Sequence, residues 1–153
     1  MKHGERMDNY DPQWAESEPR PWDPPLTDDG KLQAWRTGQK LRREGGNITR
    51  VFCSPFLHCV QTAAEVVTAL CVTDDHANAP SSKDVVIDPS KVKVSIEIGL
   101  CDVRIKVTRM NTVYLMLDSS GATITEIRSL FEKDSISAMN KVSPSQGFHD
   151  FFL

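Results

Sequence analysis

Residues 48–70 read ITRVFCSPFLHCVQTAAEVVTAL, and the organisation of the chain turns on how this stretch is parsed. Ile48 to Cys53 is short and β-branched, the composition of a strand. Ser54-Pro55 breaks it, because proline has no N–H to give to a ladder. From Phe56 to Leu70, the residues Val60, Ala63, Ala64, Val67 and Leu70 recur at helical spacing and predict a helix with one buried face. Toward the N-terminus, Thr27-Asp28-Asp29-Gly30 has the form of a helix start, with Thr27 as cap and two carboxylates at the positive end of the dipole. Leu32, Ala34, Trp35, Gly38 and Leu41 follow near helical spacing, Arg42 and Arg43 fall in the last turn, and Gly45-Gly46 stops the helix. Toward the C-terminus, residues 72–84 form a polar surface loop, and Val85–Ile87 and Val92–Ile98 read as strands. Strand and helix thus alternate from residue 28 to 98, which predicts an α/β sandwich with a mostly parallel sheet.

The flanks are less regular. Pro12, Pro19, Pro21, Pro24 and Pro25 crowd the first 27 residues, a density that leaves no room for a helix or a central strand. Trp14 and Trp22 within this stretch read either as a lid over a site or as anchors pinning a loop to the core. Beyond Cys101 the pattern changes: Thr112–Leu117 is a candidate strand, Ile124–Met139 a weakly amphipathic helix, and residues 147–153 an aromatic tail.

At 153 residues the chain has the size of one domain. Its 18 basic and 21 acidic side chains give a net charge of -3 without a basic stripe, which argues against nucleic-acid binding. No run approaches the ~20 apolar residues of a membrane span. The opening residues lack the apolar stretch of a secretory signal, so the cytoplasm is the expected compartment. Cys53, Cys59, Cys71 and Cys101 match no zinc-type spacing, and their apolar neighbours suggest buried thiols.

Three motifs carry the chemistry. Lys2-His3-Gly4-Glu5-Arg6 comes first, with Trp22-Asp23-Pro24-Pro25-Leu26-Thr27 downstream of it. Ser54-Pro55-Phe56-Leu57-His58-Cys59-Val60-Gln61-Thr62-Ala63 is the second, and Glu97-Ile98-Gly99-Leu100-Cys101-Asp102 the third. Together, over residues 1–102, they resemble the histidine phosphatase superfamily, the phosphoglycerate mutase-like fold. The likeness is nearest to the plant-type branch related to the suppressor-of-T-cell-receptor-signalling and ecdysteroid-phosphate phosphatases. The family writes its first motif Arg-His-Gly-Glu and its second Ser-Pro-x-x-Arg-x-x-x-Thr-Ala. The resemblance implies a three-layer sandwich over residues 1–102, with residues 103–153 a divergent segment. It also implies a phosphomonoesterase needing no metal or other cofactor, acting on a phosphorylated small molecule or phosphoprotein, and a dimer, as relatives in this branch often are. In that scheme His3 attacks phosphorus and carries a phosphohistidine, Arg6 with the clamp positions Lys2 and His58 holds the phosphoryl oxygens, and Asp102 protonates the leaving oxygen.

The departures from the pattern matter as much. Lys2 stands where the family has arginine and lacks its planar fork. His58 replaces the second-motif arginine and, with an ordinary pKa of ~6.5, is largely neutral at pH 7. Asp102 is one methylene shorter than the usual glutamate, and a displacement on the order of 1 Å costs about a hundredfold in rate. Nothing after Asp102 matches the late motif that supplies the family's second histidine; His149 sits in Phe-His-Asp instead. The strand that precedes the first motif in the family, and the late strand, are expected to be missing. The reading is therefore a histidine phosphatase of weak or absent turnover. The alternative is a pseudophosphatase that binds a phospho-ligand or partner, in the form of a truncated isoform.

Overall fold

The computed structural model describes residues 1–100 and 122–132. The candidate acid Asp102, His149 and the expected strand at Thr112–Leu117 lie outside the described residues.

The proline-rich opening holds two single helical turns, α1 (Met7–Tyr10) and α2 (Trp14–Ser17), where the proline count predicts none. Both avoid the prolines: Pro12 lies in the turn between them, and Pro19 follows the second. The segment makes an excursion closed at its base. Arg6 and Leu26 form an antiparallel bridge, Met7 N–H donates to the Pro25 carbonyl at 2.9 Å, and Thr27 N–H donates to the Glu5 carbonyl at 3.0 Å.

Helix α3 (Asp28–Arg43) begins as its sequence dictates. The Thr27 hydroxyl accepts from Gly30 N–H at 2.9 Å, satisfying one orphan donor of the first turn. Lys40, Arg42 and Arg43 occupy the last turn, and Gly45 at φ +74° turns the chain away in a conformation that favours glycine. Strand β1 (Arg50–Cys53) starts two residues later than its composition suggests. Helix α4 (Leu57–Cys71) follows and crosses to β2 (Lys93–Ile96), which lies parallel to β1 with Arg50 opposite Lys93 and Cys53 opposite Ile96. The two strands and their crossover helix form the βαβ unit that a parallel pair requires. The short β3 (Ala122–Thr123) joins β2 antiparallel and leads directly into α5 (Ile124–Glu132).

Two strand expectations contract. The alternating run Val92–Ile98 ends at Ile96, because Ile98–Leu100 turns into a 3-10 helix. Val85–Ile87 contributes a single bridge, Ile87 to Val72. Among the described residues, β1 pairs with β2 alone, and residues 1–5 form no strand.

Helix α4 is the axis of the packing. One side meets the sheet and α5 through Val60, Ala63, Val67, Val94, Ile124 and Ile127. The other side meets α3, where Ala69 and Val72 pack on Trp35. Sandwiched in this way, α4 buries residues all round, including Val66 and Ala69, which a single-face helix would leave in water. The α3–α4 approach is close enough that a Cβ on Gly38 would lie 2.5 Å from the Val66 carbonyl oxygen and 2.7 Å from the Ala69 Cβ. The result is an α/β fold with a small, incomplete sheet that contains a parallel pair. No described helix is long and apolar enough to cross a membrane.

Candidate active site

Backbone contact positions the first motif. A Cβ on Gly4 would lie 2.3 Å from the carbonyl oxygen of Gly30, so the chain passes the start of α3 at a distance only two glycines permit. Gly4 N–H donates to the Thr62 hydroxyl at 3.2 Å, and that hydroxyl donates to the His58 carbonyl at 2.7 Å. One threonine on α4 therefore ties the first motif to the second across 58 positions of sequence. Thr62 belongs to the Ser-Pro motif, yet only the fold reveals its role.

His3 projects from this anchor. Its Nδ1 lies 2.7 Å from the carbonyl oxygen of its neighbour Gly4. The His58 ring meets it edge to face, centroids 4.6 Å apart and planes at 74°. Phe56 stacks on His58 at 5.6 Å and 13°. His58 is 6% exposed, and its Nδ1 is buried without a hydrogen-bond partner among the described residues. Burial first, then the neighbouring His3 and Arg6, push the His58 pKa down to about 4, while the Pro24 backbone and Asp8 pull weakly the other way. The ring is therefore neutral at physiological pH, more firmly than its residue type alone would imply.

Arg6 does not point an open fork at the histidines. Its Nε donates to Asp8 at 2.9 Å, and a second guanidinium nitrogen pairs with the other Asp8 oxygen. This bond and the carboxylate's charge raise the Arg6 pKa, and the same bond holds Asp8 below the usual carboxylate range. Lys2 is exposed beside His3, where both line a small cavity of about 110 Å³ with Gln33, Thr37 and Thr62. Neither Trp14 nor Trp22 lines that cavity.

The second motif is aimed by Asp23. This 6% exposed carboxylate accepts from Leu57 N–H at 2.6 Å, capping α4 from 34 residues away. Burial raises its pKa, opposed by the Leu57 bond and by Arg20. The cysteines divide: Cys53 and Cys71 are buried as expected, but Cys59 in the first turn of α4 is half-exposed. Burial and the nearby Cys59 push the Cys53 thiol up to about 12.

The fold thus gathers His3, His58 and Lys2 and keeps Arg6 within electrostatic reach of His58, while adding Thr62, Asp8 and Phe56. A histidine with Nδ1 committed to a carbonyl has Nε2 as the nitrogen left to face an electrophilic centre of an anion, and it does so here beside a buried neutral ring and a lysine.

Residues 1–76 match the family model of the histidine phosphatase superfamily, branch 1. Over 48 residues, 31% of this chain, the sequence is 46% identical to ubiquitin-associated and SH3 domain-containing protein A of Mus musculus, a stretch that spans 8% of that protein. The fold resembles the crystal structure of the ecdysone phosphate phosphatase from Bombix mori in complex with tungstate, with TM-score 0.52 and 24% identity. That likeness covers 90% of this chain and 64% of the other, so this chain spans less than two thirds of either relative.

Proposed function

This chain belongs to the histidine phosphatase superfamily through residues 1–76, and from that premise we propose that it binds phosphomonoesters at His3 and turns them over slowly through a phosphohistidine. The observation that carries this reading is the 2.7 Å contact between His3 Nδ1 and the Gly4 carbonyl. A carbonyl oxygen only accepts, so Nδ1 carries a proton, and Nε2 is the nitrogen that offers the lone pair whenever the ring is neutral. In the proposed reaction Nε2 attacks phosphorus, and the ester oxygen leaves with a proton from Asp102. Water then cleaves the N–P bond, releasing phosphate and restoring the imidazole. Lys2, Arg6 and His58 are the proposed phosphoryl contacts, and the substrate is a phosphorylated small molecule or phosphoprotein.

The same geometry supports slow chemistry. The Arg6 fork is held by Asp8, and His58 offers a neutral donor where an arginine would offer a permanent charge. The second reading, a binding module without turnover, is favoured by this Arg6–Asp8 pair: the permanent positive charge of the first motif is neutralised within two residues.

Hydrolysis of p-nitrophenyl phosphate from about pH 5 to 8, by the chain and by its His3→Ala variant, separates the readings. Circular dichroism must confirm that both proteins fold. Release of nitrophenol that disappears in His3→Ala, with acid-labile, alkali-stable phosphate on the native protein, supports the phosphohistidine. Equal rates in two folded proteins would end the enzymatic reading. Phosphate binding lost in His3→Ala, without hydrolysis in either protein, would leave the binding module.

A further inference from the structure

Away from the histidine pair, a cavity of about 610 Å³ opens between the first half of α3, the face of α4 that carries Glu65, residues 81–83 and α5. This lies within the ~300–1,000 Å³ range of small-molecule sites. Its floor is apolar, formed by Leu32, Trp35 and Ala64. Trp35 is 1% exposed, and its indole N–H donates to the Ala79 carbonyl at 3.0 Å.

Glu65 faces this cavity. Burial raises its pKa, opposed first by a hydrogen bond from the Ser82 side chain to the carboxylate and then by the charges of Arg128 and Lys31. One carboxylate oxygen, Oε2, is buried and has no hydrogen-bond partner among the described residues. The local cations do not serve it. Lys31 Nζ is bound to Asp28 at 3.0 Å, and among the described residues Arg128 makes no direct ion pair with Glu65. A buried acceptor without a donor is costly, and a donor brought by a ligand recovers that cost.

We propose that this cavity is a second ligand site, independent of His3, for a small amphiphilic primary amine. Its ammonium group binds the Glu65 carboxylate, supplying the donor that Oε2 lacks, and its apolar body lies along Leu32 and Trp35. Lys83 and Arg128 also line the cavity, so a carboxylate on the same ligand is accommodated there, and the class extends to zwitterions of amino-acid size.

The test is titration of the full chain, followed by amide chemical shifts, with phenethylamine, phenylalanine and phenylacetate as cationic, zwitterionic and anionic probes of one apolar body. Phenethylamine and phenylalanine should saturate, with phenylacetate at least about tenfold weaker. Glu65→Gln should weaken phenethylamine by about tenfold or more. Ser82→Trp, a loop substitution that fills the cavity, should abolish binding. His3→Ala should leave binding unchanged, so this proposal stands or fails apart from the phosphatase reading. Equal binding of phenylacetate, indifference to both cavity variants, or no saturation by any probe overturns it.

Discussion

Acidification should destabilise this protein through His58, and the size of the effect follows from its surroundings. The ring packs against His3 and Phe56, and burial, with the nearby His3 and Arg6, brings its pKa from 6.5 to about 4. Between those two values the unfolded chain takes a proton that the folded chain refuses. A depressed histidine therefore costs no stability well above pH 6.5 and costs progressively more as pH falls toward 4. For a site at pH 5 with these two pKa values, linkage gives a loss of ~2 kcal/mol relative to about pH 7.5. Discounted for the part of the ring that solvent reaches, the expected loss is about 1–2 kcal/mol. The assay is urea unfolding of the native chain and of His58→Gln at the two pH values. Each protein serves as its own reference, so any pH-independent cost of the substitution cancels. The native chain should lose about 1–2 kcal/mol more than the variant over this interval, with unchanged dependence on urea. Equal losses, or an imidazole titration of His58 near 6.5 by NMR, would refute the reasoning: the pair would then be open to water and the site less enclosed than its geometry indicates.

Further outcomes follow from other contacts. Gly38→Ala should destabilise by about 1–3 kcal/mol in thermal or urea unfolding, because the new Cβ meets the Val66 carbonyl and Ala69 rather than a flexible side-chain end; an unchanged midpoint would mean that α3 and α4 part at little cost. Asp8→Asn should release Arg6 and raise affinity for inorganic phosphate about two- to fivefold, read by calorimetry; an unchanged affinity removes Arg6 from the phosphate site. Alkylation of the native protein at about pH 8, mapped by peptide mass spectrometry, should modify Cys59 well before Cys53, whose thiolate fraction is on the order of 10⁻⁴ at that pH. Equal labelling would show that the end of β1 is open to solvent.

Local chemistry was readable wherever a structure depends on neighbours in sequence. Helix α3 is one case: its cap, first-turn acids, last-turn bases and terminal glycine all act within a turn of the residues they serve. The Ser54-Pro55 break and the helix after it are another. The pairing of Arg6 with Asp8, two residues on, was equally within reach of the sequence. Periodicity was a poorer guide to α4. It marks a single apolar stripe, whereas Val66 and Ala69 are buried because α3 covers the side away from the sheet.

Residue order therefore determined helices α3 and α4, the strand–helix–strand unit that α4 closes, and the motifs that bring His3 and His58 into consideration. Tertiary structure alone decided that those rings touch, that Thr62 fastens Gly4 to α4, that Asp23 caps α4, and that Glu65 is left with an unpartnered oxygen over an apolar floor. The physical reason is range. Propensity, capping and turn chemistry act over a few residues, whereas desolvation and side-chain contact depend on which distant segments exclude water from a site. No local pattern specifies that exclusion.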